Sequence, residues 1–293
     1  MATEMSDNFR GAALMMASMA GFVINDAFMR AVLGDVPLFQ AIFLRGIFLC
    51  LFLLVLTWQR GHLRCRPSPR DTARISARAI AELVGTLFFL TALTRMPFAN
   101  ISAVLQFLPL SVTLAAALFL GYPVGWRRVL AILMGFAGVL LIVKPDADGF
   151  DLSALLAICA VLAVTIRDIV IRNLSPDIPS AFVALVAATV VTTVCGICAA
   201  FGTWVPVTFW QFAFMIAAAS VLVVGYIASV AAMRVGDIAF VSPFRYTALV
   251  WALAIGILAF KEYPDGLALL GASLIVGMGL FSFYREHRQT RSR

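Results

Sequence analysis

Ten apolar runs recur along the chain, at 11–33, 37–58, 75–94, 97–120 and 126–143, then at 152–174, 179–200, 209–233, 238–260 and 266–284. Each approaches the roughly 20 residues that a helix needs to cross the hydrocarbon layer. Short polar breaks separate them. Among lipid tails every backbone N–H and C=O has to bond within its own segment, so runs of this length predict helices. The pattern predicts an all-α integral membrane protein of ten transmembrane helices and leaves no room for a soluble domain. Any activity must therefore lie among the helices.

Composition agrees: of 293 residues 62% are hydrophobic and 13% charged, and the mean hydropathy is +1.00, outside the range of soluble domains. The net charge of +7 is explained by where the bases fall. With the amino terminus inside, 16 of the 22 Lys and Arg side chains occupy one face, including Arg10, Arg60, Arg64, Arg70, Arg127, Arg167, Arg172, Arg234 and the tail from Arg285. Arg30, Arg95, Lys144 and Lys261 lie on the other face, and Arg45 and Arg245 lie within spans. Positive residues collect on the cytoplasmic side, so both termini are expected in the cytoplasm of a cell with the chain in its plasma (inner) membrane. The lipid bilayer then accounts for the charge without nucleic acid as a partner. Two acids and one base in the first ten residues are unlike a basic secretory leader, so the first run reads as a retained span, with a cleaved leader as the alternative. Cys195 and Cys198 have the spacing of a redox or metal pair, but no histidine or second pair stands near them. They read as small apolar fillers, and no metal or other cofactor is expected.

The spans repeat. Asp26 and Arg30 near the end of the first recur as Asp168 and Arg172 in the sixth, and Pro37 recurs as Pro179, at an offset of 142. Gly85 with Gly225, Ala92 with Ala232, Ala99 with Ala239 and Tyr122 with Glu262 follow at 140. Two units result, 1–147 and 148–293. Five spans is an odd number, so the second unit enters from the opposite side, giving inverted repeats about a central cavity.

Interior polar residues are the candidates for chemistry. The fourth span carries Pro109, with Ser102, Gln106 and Thr113 on one helical face. Proline cannot donate its backbone bond, so a broken helix with a polar stripe is expected there, either as a binding site or as a kink satisfied by neighbouring hydroxyls. The third span presents Glu82, Gly85, Thr86 and Phe89, and the eighth presents Gly225, Tyr226 and Ser229. The two glycines by themselves read as helix-packing positions. Glu82 lies at interior depth, and Arg245, followed by Tyr246 in the ninth span, is its expected partner, as a gate, a ligand clamp or a structural ion pair. Arg45 reads either as an outer counterpart, with Asp26 and Asp35 as candidate partners, or as a side chain that snorkels to the interface, the reading that Arg30 and Arg95 at helix ends favour for themselves. Asn25, Asp26, Asp168 and Arg172 are gate or coupling candidates. Proton relay through Asp26, Glu82 or Asp168 and facilitated diffusion are equally consistent with the chain.

These features point to a secondary transporter of small amphipathic solutes. A membrane-embedded enzyme is the competing class, yet His-Glu-x-x-His, Gly-x-Ser-x-Gly and nucleotide-loop patterns are lacking, and the two histidines, His62 and His287, fall outside the spans. A structural membrane protein predicts no interior charge, against Arg45, Glu82 and Arg245.

The stretch from Ala232, Arg234, Val235, Gly236 and Asp237 through Pro243, Arg245, Tyr246 and Thr247 to Phe260, Lys261 and Glu262 resembles the EamA-type carriers of the drug/metabolite transporter superfamily. The resemblance covers nearly the whole chain, and it departs from the family where Tyr122 stands in place of the usual acid. Chain length and the Asn25-Asp26 pair are most similar to the bacterial amino-acid exporter branch of the YddG type. That resemblance implies ten helices in two EamA repeats and export of amino acids, aromatic or otherwise hydrophobic, by alternating access. Another small metabolite or drug carried by the same fold is the alternative. The oligomeric state is left open, with a monomer sufficient.

Overall fold

A computed structural model describes residues 2–120, 125–144, 152–172, 174–235 and 238–291. Among them are twelve α-helices and no strands: α1 (Ala2–Leu33), α2 (Leu38–Gln59), α3 (Pro69–Leu93), α4 (Phe98–Leu105), α5 (Leu108–Leu120), α6 (Trp126–Val143), α7 (Leu152–Arg172), α8 (Ser180–Ala200), α9 (Phe209–Val235), α10 (Ile238–Val241), α11 (Thr247–Phe260) and α12 (Gly266–Arg291). Eight stretches are long and apolar enough to span a membrane, and Val129–Val143 and Gly266–Ser282 form two shorter apolar helices. The ten spans are those that the hydrophobic pattern predicts, because α4 with α5, and α10 with α11, each make one span.

Local chemistry sets the ends. Pro37, Pro97 and Pro179 precede α2, α4 and α8, where a residue without an N–H loses nothing. Ser68 caps α3 by accepting from the Asp71 amide at 3.1 Å, with Pro69 in the first turn. This cap starts α3 six residues before the apolar run does. Lys144 and Lys261 close α6 and α11 at φ 49° and 55°, the left-handed turn that ends many helices.

Both fourth spans of the two halves are broken. Between α4 and α5 the chain turns at Gln106 and Phe107, and the Phe107 carbonyl accepts the amides of Leu110 and Ser111, each at 3.0 Å. Pro109 thus sits in the first turn of a new helix, where it is tolerated. In the second half a 3-10 segment, Ser242–Tyr246, separates α10 from α11 and contains Pro243. At the offset of 140, residues 102–107 correspond to 242–247, so the interruptions fall at matching places.

Packing runs mainly between the halves, pairing α1 with α9, α3 with α7, α2 with α8 and α6 with α12. Exchanging the first unit for the second maps the pair α1–α9 onto α7–α3 and returns the other two pairs to themselves, as a pseudo-two-fold axis requires. Side chains follow the same rule. Cys50 Sγ lies 3.5 Å from Thr192 Oγ1, its own counterpart 142 residues on. A Cβ on Gly225 would meet the Ser18 carbonyl and the Phe22 ring, and one on Gly85 would meet Val164 and Ala163. A Cβ on Gly138 would stand 2.6 Å from the Gly271 carbonyl, and one on Gly271 would stand 2.5 Å from that of Gly138. Such close approach lets van der Waals packing hold helices together where lipid offers no hydrophobic drive.

Candidate functional site

The interior holds two charged centres. In the first, Arg45 of α2 lies about 10 Å along the helix from its first residue and is 8% exposed. It donates from Nη1 to Asn25 Oδ1 at 3.0 Å. Asn25, 4% exposed, donates in turn from Nδ2 to Asp26 Oδ1 at 2.8 Å. The amide therefore stands between acid and base, and Asp26 makes no direct ion pair with Arg45. The Arg45 Nε has no hydrogen-bond partner. Asp26 and Glu82 of α3 lie close enough to act on the guanidinium through space, and Cys195 of α8 lies nearby, so Arg45 faces elements of both halves.

In the second centre Glu82 receives Arg78 at 3.4 Å, one turn away on α3, and Arg167 of α7 at 3.3 Å. Arg167 also donates from Nε to Asp168 at 2.9 Å. Two acids and two bases balance, so this network is internally compensated, as buried charge requires. The Tyr226 hydroxyl of α9 lies near Ser180 and Arg78 at its edge.

The Glu82–Arg245 pair expected from sequence is not formed. Arg245 is exposed, while Glu82 is held by Arg78 and Arg167. The cause is the 3-10 segment Ser242–Tyr246. Five residues at about three per turn instead of 3.6 rotate a helical face by roughly 100° relative to an unbroken α-helix. Tyr246 turns the other way, into α12, where a Cβ on Gly279 would collide with its hydroxyl. Arg45 finds Asn25 rather than Asp26 or Asp35, and Asp35 accepts from Gln211 at 3.1 Å.

Of the other candidates, Gln106, Pro109 and Thr113 lie at the first broken span. Gln106 is half-buried beside the α4–α5 turn, with Nε2 3.5 Å from the Ser102 carbonyl. Thr113 donates to the Pro109 carbonyl at 2.9 Å. Ser111 and Thr165 join α5 to α7 at 2.7 Å. Thr86, Phe89 and Ser229 are half-buried on α3 and α9. The side chain of Arg172, and Tyr122, Gly236 and Asp237, lie outside the described residues.

Carboxylates tie both ends of the bundle. At one end Glu262 pairs with Arg30 and accepts the Phe98 amide at 2.6 Å. Arg30 also donates to the Met96 carbonyl at 2.8 Å and lies over the Phe260 ring at 4.9 Å. Arg30 is thus locked among α1, α4 and α11 and does not snorkel. At the other end, about 36 Å away along α3, Asp71 accepts the Ser175 hydroxyl at 2.8 Å and Arg74 at 3.3 Å. Sequence reasoning missed both ties and both arginines of the Glu82 network. The signals were present in the spacing of four between Arg78 and Glu82, and in the placement of Arg30 and Glu262 at the same ends of their spans.

Residues 9–144 match the EamA-like transporter family. A riboflavin transporter of Vibrio cholerae is 30% identical over 217 residues, covering 73% of this chain and 72% of that protein. An S-adenosylmethionine uptake transporter of Rickettsia bellii is 26% identical, covering 75% and 77%. A solved crystal structure with 20% identity superposes with a TM-score of 0.64 over 93% of this chain and 98% of that one, a likeness of fold alone.

Proposed function

The chain belongs to the EamA-like transporter family, a membrane transporter of the drug/metabolite type, and from that premise we propose that it exports amino acids, aromatic or otherwise hydrophobic, across the plasma membrane by alternating access. The observation that carries the reading is the pair of interrupted spans, at Gln106–Phe107 and at Ser242–Tyr246, in corresponding positions of two inverted halves. Discontinuous helices of this kind expose backbone groups to a central solute. In this reading 1–147 and 148–293 are the two units that rock against each other, with both termini cytoplasmic.

Thr86, Phe89, Gln106, Pro109, Thr113, Tyr226 and Ser229 line the solute path, with Glu82 as part of its wall. Asn25, Asp26, Asp168 and Arg172 bias the movement. Opening one end breaks the Glu262 contacts with Arg30 and Phe98, and opening the other breaks the Asp71 contacts with Ser175.

A second reading is favoured by the relatives, whose names give S-adenosylmethionine and riboflavin as cargo and, for the former, uptake as direction. Uptake of labelled L-tryptophan, S-adenosylmethionine and riboflavin into proteoliposomes, with and without a pH gradient, separates the two. The amino-acid reading predicts saturable L-tryptophan flux that unlabelled L-phenylalanine inhibits. Flux of riboflavin or S-adenosylmethionine without L-tryptophan flux overturns it in favour of the second.

A further inference from the structure

We propose that Arg45 is the anchor for a carboxylate on the transported solute, with Asn25 holding the guanidinium open for it. This rests on the transporter reading above and assigns the residue that would hold the solute's carboxylate. Arg45 is buried yet makes one hydrogen bond to the described residues, to Asn25 Oδ1, and its Nε has no partner. A guanidinium offers five N–H groups in a planar fork that matches a carboxylate in two-point contact. A buried cation whose one hydrogen bond goes to a neutral amide, with Asp26 and Glu82 acting on it only through space, lacks the direct anionic partners of Arg167, which holds both Glu82 and Asp168.

The nearest acid does not fill the gap. Asp26 is held by Asn25 Nδ2, so the amide works as a spacer that prevents Arg45 and Asp26 from collapsing into an internal pair. Glu82 acts on Arg45 through space, but its carboxylate is already shared by Arg78 and Arg167. A solute carboxylate is the partner this geometry lacks. Asp26 is left beside it, where it complements an ammonium on the same molecule, so the preferred class is a zwitterion rather than a neutral ring compound.

This places the interior cation for a ligand on Arg45, where the sequence pointed to Arg245 as the partner of Glu82 in a gate, ligand clamp or structural ion pair. Arg245 is exposed and apart from Glu82, whereas Arg45 stands where α1, α2, α3 and α8 converge.

The test uses the full chain in proteoliposomes with L-tryptophan, L-tryptophanamide and riboflavin as probes, for the wild type, Arg45→Lys and Arg45→Gln. A site that binds a carboxylate at two points should prefer L-tryptophan over its amide by at least about tenfold in flux at low concentration. Arg45→Gln should abolish that preference, and Arg45→Lys should keep part of it. The wild-type comparison needs no variant, so it decides even where a substitution prevents folding. Equal flux of L-tryptophan and its amide, riboflavin flux exceeding both, or full L-tryptophan flux in Arg45→Gln would overturn the anchor while leaving transport intact. Absence of flux for every probe in the wild type would overturn the amino-acid reading and the anchor together.

Discussion

Asn25 is a single amide whose two ends touch opposite charges, Arg45 and Asp26. Asn25→Asp places a carboxylate directly on Arg45 with little change of shape. The substitution should lower flux of a carboxylate solute at least about tenfold, because an internal carboxylate then occupies the fork. It also removes the donor to Asp26 and sets two carboxylates side by side, so flux is the readout: a flux assay checks this, and unchanged flux contradicts it. At this scale the sequence was partly legible. Depth within an apolar run marked Arg45 and Glu82 as interior charges. Their partners were not readable, because Arg78 and Arg167 lay close enough to predicted span ends to resemble loop bases. The Arg245 expectation failed because an unbroken helical phase was assumed across Ser242–Tyr246.

Among the helices, close approach and end contacts set what can move. Gly138 and Gly271 bring α6 and α12 to backbone contact. Gly138→Val should push the pair apart and destabilise the protein by about 1–3 kcal/mol, as overpacking of a tight contact does; thermal denaturation in detergent measures it. The Glu262 tie makes a different prediction. Glu262→Gln removes the charge that holds Arg30 and weakens the acceptor of the Phe98 amide. Loss of one partner from a partly buried ion pair should destabilise that end, and a cysteine placed at Ala99, buried here, should react faster with a water-soluble maleimide. Unchanged reactivity would show that Glu262 does not hold that end shut. The helices themselves were legible from apolar run length, and the break after Gln106 from Pro109. The break at Ser242–Tyr246 was not, since Pro243 was read within a continuous span.

For the whole molecule the repeat gives more than a count of helices. Pairs such as Cys50 with Thr192, and Gly85 with Val164 against Gly225 with Phe22, form one contact pattern written twice. The offset of 140 was visible in the sequence because packing demands small residues at the same places in both halves, and that of 142 from the repeated Asp26, Arg30 and Pro37. The charge of the Glu82 centre escaped the symmetry. Arg78, Glu82 and Arg167 correspond to Ala218, Leu222 and Asn25 in the other half, so one centre is balanced and the other is open. That difference leaves one interior cation in need of an outside anion. Alternating access is the central claim, and side-resolved labelling of a cysteine at position 106 tests it most directly. In a background with the five native cysteines replaced, Gln106→Cys should react with an impermeant thiol reagent from either face of the membrane. Cross-linking Arg30→Cys to Glu262→Cys should abolish labelling from that end alone. A cysteine at 106 that reacts from neither face, or one still labelled from the cross-linked end, would contradict the account.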